Sequence, residues 1–469
     1  MAEGKQTDSL NELVDPTGDP GEKLWSRVRR LWGRVKEEGL VATLVREAGG
    51  AFVVRVIGAG VAFGAQVLLA RWMGVRSYGI FTFVWTWITV LVLFGRLGVD
   101  KALIRYVPGY RDDQRWEKLR GLLQFGGRLV GAVCVGLSVV GAAVVWWFRG
   151  GMPEGQLVTF WVAFLMLPLL GLMQTGKGAL QAFKSAIRAC IPDLVVRHVA
   201  VVAVGGLLFL SVPGRLSAPQ GMAAMLIAVL CCLMLTGWWL AQTAPAETWR
   251  AGTVWDSKTW MSSMVPMMLI AGMHLLLKRT DLIMLGLLVG PEAAGTYGAA
   301  ARVSELSYFG LQSANAIMAP LIAELYHSDR HSDLQQIVTW TARGSFGLYL
   351  IVAAVLVGAG TYVLALFGDA FVAGYGALVL LLGGQFANTA AGSVGFLMMM
   401  TGHEKESAQI LAVAVTINIL LNYGLIPVYG LEGAGIATAS TALLWNAWMG
   451  WYVWRTVGIN ATVFATRNE

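Results

Sequence analysis

Two stretches of this chain repeat one pattern: VLLARWMGVRSYGIF at residues 67–81 and IMLGLLVGPEAAGTYGA at residues 283–299. Each is the end of an apolar run, followed by a glycine, a short loop and a Tyr-Gly pair that opens the next apolar run. The two Tyr-Gly pairs, at residues 78–79 and 297–298, are separated by close to half the chain. This spacing predicts a membrane protein built from two similar halves, a kind of duplication that is typical of transporters.

The composition also indicates a membrane protein. Of the 469 residues, 56% are hydrophobic and only 13% are charged, whereas soluble domains carry about 25% charged residues. The apolar residues occur in blocks of about 20, the length that a helix needs to cross the bilayer core. A membrane β-barrel would instead show segments of about ten alternating residues. We therefore predict an all-α polytopic membrane protein with about twelve transmembrane helices.

The predicted spans cover residues 49–70, 78–98, 121–148, 157–179, 188–211, 221–242, 262–287, 295–322, 338–367, 374–401, 407–427 and 432–455. They divide the chain into a cytoplasmic N-terminal segment (1–48), an N-lobe of six spans (49–242), a cytoplasmic linker (243–260), a C-lobe of six spans (261–457) and a cytoplasmic tail (458–469). Because the first 48 residues are polar, the first apolar run is expected to remain as a helix rather than to be removed as a signal peptide.

The distribution of Lys and Arg predicts the orientation. These residues are concentrated in the N-terminal segment and in the loops after the second and fourth spans, and they are scarce in the alternate loops. Since positive loops face the cytoplasm, both termini are expected there, and the halves are expected to be parallel repeats. Residues 22–46 place apolar and basic side chains on opposite helical faces, which predicts an interfacial helix on the anionic cytoplasmic leaflet.

Charged residues at membrane depth identify the candidate site, because such charges usually face a protein interior or a water-filled cavity. Cations outnumber carboxylates in the predicted spans, so a cavity lined by them would attract an anion. The candidate substrate-binding residues are Arg55, Arg279, Arg302, Arg128 and Lys278, and the candidate ion-coupling residues or charge partners are Asp193, Asp281 and Glu305. Arg279, near the middle of the seventh span, is the strongest candidate.

Each of these charges also has a structural interpretation. Three carboxylates are spaced for an ion pair within one helix: Asp193 with Arg197, Asp281 with Lys278 or Arg279, and Glu305 with Arg302. Arg55 and Arg128 lie close enough to a predicted span end for their guanidinium groups to reach the interface. The sequence leaves both interpretations open.

Two blocks of the chain resemble a known family. LLARWMGVRSYGIFTFVWTWITVLVLFGRLGVDKALIRYVPGYR, residues 68–111, resembles the first block of the polysaccharide-biosynthesis (O-antigen or oligosaccharide) flippases. RTDLIMLGLLVGPEAAGTYGAAARVSEL, residues 279–306, resembles the block that opens their second half. These proteins belong to the multidrug/oligosaccharidyl-lipid/polysaccharide (MOP) exporter superfamily, and the resemblance covers about residues 45–457. It departs at Arg96, where an acidic residue is common before Leu-Gly.

The resemblance implies two parallel six-helix bundles around a central cationic cavity, in the V-shaped arrangement of the multidrug exporters of the MATE type. It further implies an undecaprenyl-pyrophosphate-linked oligosaccharide as the substrate, moved from the inner to the outer leaflet of the cytoplasmic (inner) membrane by alternating access. Arginine suits this substrate, because its guanidinium group makes bidentate contacts with phosphate. Membrane lipids and other polysaccharide-assembly proteins are the implied partners.

Several alternatives are weaker. A multidrug or cation antiporter of the same superfamily would favour unpaired carboxylates, and the lipid II flippases usually have fourteen spans rather than twelve. An intramembrane enzyme would need a large soluble loop or an acid–base constellation, and the sequence has neither. A static scaffold is disfavoured because uncompensated buried charge is costly. We expect no enzymatic activity, no nucleic-acid partner, no cofactor and no metal, since the spacing of His327 and His331 fits a chance pair.

Overall fold

The computed structural model describes residues 39–211 and 214–465, and all regular structure in these ranges is helical. Residues from Val54 onward form one compact unit, and the described residues before it are helical. The predicted interfacial helix at residues 22–46 lies outside the described residues as far as residue 38. Helices suit a chain of this composition because they satisfy every backbone N–H and C=O group internally, which the bilayer core requires.

The described residues of the first half form seven helices. They are α1 (Gly39–Arg96), α2 (Val99–Asp112), α3 (Trp116–Trp147), α4 (Gln156–Ala182), α5 (Ala186–Ile191), α6 (Arg197–Ser211) and α7 (Ala218–Thr243). A π-helical turn, Pro192–Val196, joins α5 to α6, so the two form one continuous crossing. Proline in the first position of this turn removes a backbone donor and favours such an irregularity.

The described residues of the second half form two short helices and five longer ones. They are α8 (Ala246–Arg250), α9 (Ser257–Leu288), α10 (Pro291–His327), α11 (His331–Ala365), α12 (Tyr375–Ala391), α13 (Val394–Met400) and α14 (Glu404–Val457). Single 3-10 turns, Arg149–Gly151 and Asp369–Gly374, precede α4 and α12. The region predicted as the linker holds α8 and the first turn of α9.

Nine helical segments in the described residues are long and apolar enough to cross a membrane. Two of them, in α1 and α14, change direction at Gly74 and Gly430, whose φ angles are 72° and 58°. Each part still has about the 20 residues that a bilayer core requires. With α10, which is 37 residues long, these segments account for the twelve predicted spans. The predicted all-α polytopic fold is confirmed.

The structure corrects two details of the predicted spans. The segment after the second span, predicted as a basic loop, is the helix α2, which buries Val99, Leu103 and Val107 along one side. The tenth span, predicted as one run over residues 374–401, is interrupted at Gly392, which has a φ of 71°. The carbonyl oxygen of Ala461 occupies the space that a side chain at Gly392 would need, so only glycine fits there.

The first Tyr-Gly pair lies against the start of α10, a few residues before the second pair. A Cβ atom added to Gly79 would lie 1.9 Å from the carbonyl oxygen of Pro291, and one added to Gly295 would lie 2.7 Å from the Cα atom of Gly79. The ring of Tyr78 packs edge-on against Phe371, at 5.6 Å between centroids. We call this contact between the halves the Tyr-Gly seam. Small residues allow helix backbones to approach this closely.

The segment after α14 returns along the second half. Ile459, Ala461, Val463 and Ala465 are buried. Gln335 of α11 both donates to the Asn460 carbonyl oxygen at 2.7 Å and accepts from the Asn460 N–H at 2.8 Å. The predicted tail is therefore packed against α11, as far as Ala465.

Gln335→Ala is expected to lower the stability of the folded protein by about 1.5–4.5 kcal/mol, because it removes the two hydrogen bonds to Asn460 and one to the Thr339 hydroxyl, each contributing about 0.5–1.5 kcal/mol. The measurement is the Tm of the purified protein in detergent. Ser332→Ala, at an exposed position of the same helix, is the control. An unchanged Tm for Gln335→Ala would show that the returning segment does not stabilise α11.

Candidate functional site

A small cavity of about 30 Å³ lies between α1, α9 and α10. We call it the cationic cavity. Its polar and aromatic lining consists of Gln66, Tyr78, Phe81, Thr82, Trp85 and Thr86 from α1, Lys278, Arg279 and Asp281 from α9, and Tyr297, Arg302 and Glu305 from α10. The structure thus brings Lys278, Arg279 and Arg302, three of the five predicted substrate-binding residues, to one place.

The cations of this cavity are incompletely neutralised. Arg302 forms an ion pair with Glu305, at 3.2 Å between Nη1 and Oε2. Lys278 and Arg279 form no hydrogen bond and no ion pair with the part of the chain that the structure describes. The Nε atom of Arg279 is buried without a partner. A buried donor without a partner is costly, so the arrangement favours an anion that would accept from it.

Asp281 does not form the ion pair that its spacing allows with Lys278 or Arg279. It instead accepts hydrogen bonds from the Tyr297 hydroxyl at 2.5 Å, the Thr438 hydroxyl at 3.2 Å and the backbone N–H of Leu282 at 2.8 Å. These donors come from α10, α14 and α9 itself. The carboxylate therefore joins three helices of the second half and leaves the neighbouring cations free.

The first half contributes a wall without charge. Tyr78 donates to the side-chain oxygen of Gln66 at 2.8 Å, and Thr82 donates to the backbone oxygen of Tyr78 at 2.9 Å. Trp85 also lines this wall, and the guanidinium of Arg197 lies 5.2 Å from the centre of its ring. Hydroxyl, amide and indole groups thus face the cations across the cavity.

Asp193 is the centre of a second charged cluster in the first half. Lys177 of α4 lies 2.7 Å from its Oδ2 atom, and Arg197 of α6 lies 3.1 Å from its Oδ1 atom. The predicted pair with Arg197 is present, and Lys177 is an additional partner that the sequence does not indicate. The three side chains are 12–23% exposed, so each cation depends on this carboxylate for compensation.

Asp193→Ala is expected to lower the stability of the folded protein by about 3–5 kcal/mol, because removal of one partner leaves buried charges uncompensated. The Tm of the purified variant measures this effect. Asp113→Ala is the matched control, since Asp113 pairs with Arg115 at a site where both side chains are more than half exposed, and such pairs contribute about 0–1 kcal/mol. Equal shifts in the two variants would contradict the buried role of Asp193.

A second, wider cavity of about 310 Å³ lies between α1, α2, α4 and α9. We call it the α2 cavity. Its polar lining consists of Arg96, Asp100, Lys101, Gln174, Lys177 and Gln181. The turn from α1 to α2 is formed by Leu97 and Gly98, both with positive φ, and it places Arg96 and Lys101 on either side of the same cavity wall.

Two predicted residues lie elsewhere. Arg55 is exposed on α1 and lines neither of these cavities. Arg128 is exposed on α3 and lies over the ring of Trp255, 5.6 Å from its centre, beside the segment before α9. Their roles in substrate binding stay predictions.

Sequence reasoning missed several residues of the site. Gln66, Thr82 and Thr438 are uncharged, and single polar residues within an apolar run carry no pattern that separates them from ordinary packing. Lys177 had a detectable signal, since it is a cation close to the end of a predicted span, but its partner Asp193 lies on a different helix.

Comparisons with known proteins agree with this architecture. The structure aligns with an inward-facing multidrug resistance MATE family transporter of the MOP superfamily, with a TM-score of 0.67 and 16% identity over 88% of this chain and 94% of that one. It also aligns with the lipid II flippase MurJ in an inward closed conformation, with a TM-score of 0.66 and 12% identity over 86% of both chains. The fold is that of the MOP-superfamily transporters.

The sequence comparisons identify the family. A family model described as polysaccharide biosynthesis protein matches residues 44–326, and the chain belongs to this family, as its two sequence blocks predicted. An uncharacterized membrane protein of Methanocaldococcus jannaschii is 24% identical over 405 residues, which cover 81% of this chain and 78% of the relative.

Proposed function

We propose that this protein is a flippase that moves an undecaprenyl-pyrophosphate-linked oligosaccharide from the inner to the outer leaflet by alternating access. The observation that carries the proposal is the cationic cavity, in which Lys278 and Arg279 have no partner among the described residues and Arg302 has one. A pyrophosphate group supplies the acceptors that these donors lack. A sugar head group cannot cross hydrocarbon unaided, because its polar groups would lose their hydrogen-bond partners.

The two walls of the cavity would bind different parts of such a substrate. Arg279 and Arg302 bind the pyrophosphate, with Lys278 as a further contact, since guanidinium groups suit bidentate bonding to phosphate. Glu305 is the charge partner that the incoming anion displaces from Arg302. Trp85 and the hydroxyl groups opposite suit the faces and hydroxyls of sugar rings, and the lipid tail remains in the bilayer.

The same geometry argues against a carrier of cationic drugs. Such a carrier would favour a carboxylate without a partner, yet Glu305 is paired with Arg302, and Asp281 is saturated by Tyr297, Thr438 and a backbone N–H. Asp193 lies between two cations. Every membrane-depth carboxylate named here therefore has partners, whereas Lys278 and Arg279 have none in the described part of the chain.

The proposed topology follows from the basic loops. We infer that residues 49–242 and 261–457 are the two lobes, that the linker at residues 243–260 is cytoplasmic, and that both termini lie in the cytoplasm. The protein would then reside in the cytoplasmic membrane, with the cationic cavity between the lobes. Oligosaccharide chains assembled on the cytoplasmic leaflet would meet it from that side, and other polysaccharide-assembly proteins would act before and after it.

The proposal is tested with the full chain reconstituted into lipid vesicles. One set contains a fluorescent undecaprenyl-pyrophosphate-linked oligosaccharide, and its movement between leaflets is followed by the loss of fluorescence to a membrane-impermeant quencher. A parallel set carries a lipophilic cationic dye and a proton or Na⁺ gradient. Protein-dependent flipping of the glycolipid supports the proposal, whereas dye transport without glycolipid flipping would identify a cation antiporter.

A further inference from the structure

We propose that the α2 cavity is a second anion site, at which a pyrophosphate group binds before it reaches the cationic cavity. This inference rests on the proposed flippase function for the identity of the ligand, but its geometric basis is separate. The relevant side chains are Arg96, Lys101 and Lys177, which come from α1, α2 and α4 and line one cavity.

Arg96 and Lys101 have hydrogen-bonding capacity that the described residues do not use. Arg96 makes one contact, to Asp100 at 3.3 Å, and its Nε atom is buried without a partner. A guanidinium group has five N–H donors, so most of its capacity is free. Lys101 is exposed at the cavity wall and forms no ion pair within the described residues. An anion entering the cavity would find donors already in position.

The lining of the α2 cavity carries more positive than negative charge. The lining holds three cations and one carboxylate, Asp100, and Asp193 lies behind Lys177 rather than in the cavity wall. An anion with two or more negative charges would compete with Asp100 for Arg96 and with Asp193 for Lys177. Gln174 and Gln181 add amide groups that suit phosphate oxygens or sugar hydroxyls. The cavity therefore matches the chemistry of a pyrophosphate that carries a sugar.

The two cavities lie at different levels along α1. Thr86 of the cationic cavity and Arg96 of the α2 cavity lie on the same helix, roughly 15 Å apart along its axis at 1.5 Å per residue. A pyrophosphate group is shorter than this separation, so a group bound at Arg96 does not reach the level of Thr86. The two cavities are therefore successive subsites rather than two ends of one site.

The two subsites are joined by a continuous chain of contacts. Lys177 lines the α2 cavity and forms an ion pair with Asp193, which also pairs with Arg197. The guanidinium of Arg197 in turn lies over the ring of Trp85, which lines the cationic cavity. When an anion draws Lys177 away from Asp193, the carboxylate is left to Arg197 alone. Occupation of the first subsite thus alters the surroundings of Trp85 in the second.

By the orientation of the basic loops, the α2 cavity lies on the cytoplasmic side of the cationic cavity. That is the side on which we expect a precursor to load.

Binding of undecaprenyl pyrophosphate to the purified full chain in lipid nanodiscs tests the proposal. The measurements use an Arg279→Ala background, which removes the strongest contact of the cationic cavity and leaves the α2 cavity as the main site. In this background Lys101→Gln and Lys177→Gln should each weaken binding by about tenfold or more, since each removes a hydrogen bond to a charged group. Lys101→Gln breaks no ion pair within the described residues, so weaker binding by this variant would not reflect a loss of folding.

Arg105→Gln is the matched control. It removes the same charge one helical turn further along α2, at an exposed position that lines neither cavity, and it should leave the affinity unchanged. Equal affinities for the Lys101→Gln, Lys177→Gln and control proteins would overturn the α2 site. Inorganic pyrophosphate in solution is the second probe. If it bound as tightly as the lipid, a soluble anion would be the occupant and the loading role would be wrong.

Flipping, measured on the same variants in vesicles, separates failure of this inference from failure of the proposed function. If wild-type protein flips the glycolipid and Lys101→Gln binds and flips it equally well, the flippase function stands and the α2 site is wrong. If wild-type protein does not flip the glycolipid, while binding still depends on Lys101 and Lys177, the anion site stands and the proposed function is wrong.

Discussion

Arg279→Ala is expected to abolish export of the surface glycan while the amount of protein in the membrane stays unchanged. Arg279 has no hydrogen bond or ion pair in the described part of the chain, so the substitution removes the proposed contact with substrate without breaking a hydrogen bond or ion pair of the fold. Truncating one partner of a buried charged pair costs about 2–5 kcal/mol, which corresponds to at least about a 30-fold loss. Arg279→Lys should restore activity only in part, because an ammonium group cannot make the bidentate contact.

The measurement is the amount of surface glycan in cells that depend on the variant, normalised to the protein detected in the membrane. Arg115→Ala is the control, since that residue is more than half exposed and pairs only with Asp113 nearby. Normal glycan export by Arg279→Ala would contradict its assignment as a substrate contact. Full activity of Arg279→Lys would show that charge alone, without bidentate geometry, is sufficient.

Gly79→Ala is expected to have the second large effect, because it forces the Tyr-Gly seam apart. The added Cβ atom would lie 1.9 Å from the carbonyl oxygen of Pro291, and backbone cannot yield as the end of a flexible side chain does. Overpacking of this kind costs about 1–3 kcal/mol. Alternating access requires the halves to approach and separate in each cycle, so transport should fall more steeply than stability.

Gly64→Ala is the matched control for the seam. It places the same methyl group on the same helix, at a position where nothing lies within 4 Å of the added atom. The Tm and the flipping rate of the two variants are compared in the same lipid. If both variants flipped at the wild-type rate, the close approach at Gly79 would have no part in the transport cycle.

The repeat stays a prediction from the sequence, which places the Tyr-Gly pairs at residues 78–79 and 297–298 at corresponding positions of two proposed halves. That Tyr78-Gly79 lies against the start of α10, at Pro291 and Gly295, depends on how the helices pack, which a pattern within one segment does not contain. The segment that forms α2 is rich in basic residues and is therefore predicted as a loop, although Val99, Leu103 and Val107 follow helical spacing.

The contacts of the charged residues are also only partly predictable from the sequence. Membrane-depth charges stand out in an apolar sequence, so Arg279, Arg302 and Glu305 were predicted. Their partners were less predictable, because spacing within one helix identifies only local pairs such as Asp193 with Arg197. Asp281 satisfied the same spacing rule, yet its partners Tyr297 and Thr438 lie on other helices. Long-range contacts of this kind decide which cations remain free to bind substrate.

The most direct measurement is the transbilayer movement of a fluorescent undecaprenyl-pyrophosphate-linked oligosaccharide in vesicles that contain this protein alone. The account predicts flipping that depends on the wild-type protein and is lost in Arg279→Ala at equal reconstitution. Vesicles in which the glycolipid stays in its original leaflet with the wild-type protein present, under an imposed proton or Na⁺ gradient as well as without one, would contradict the account.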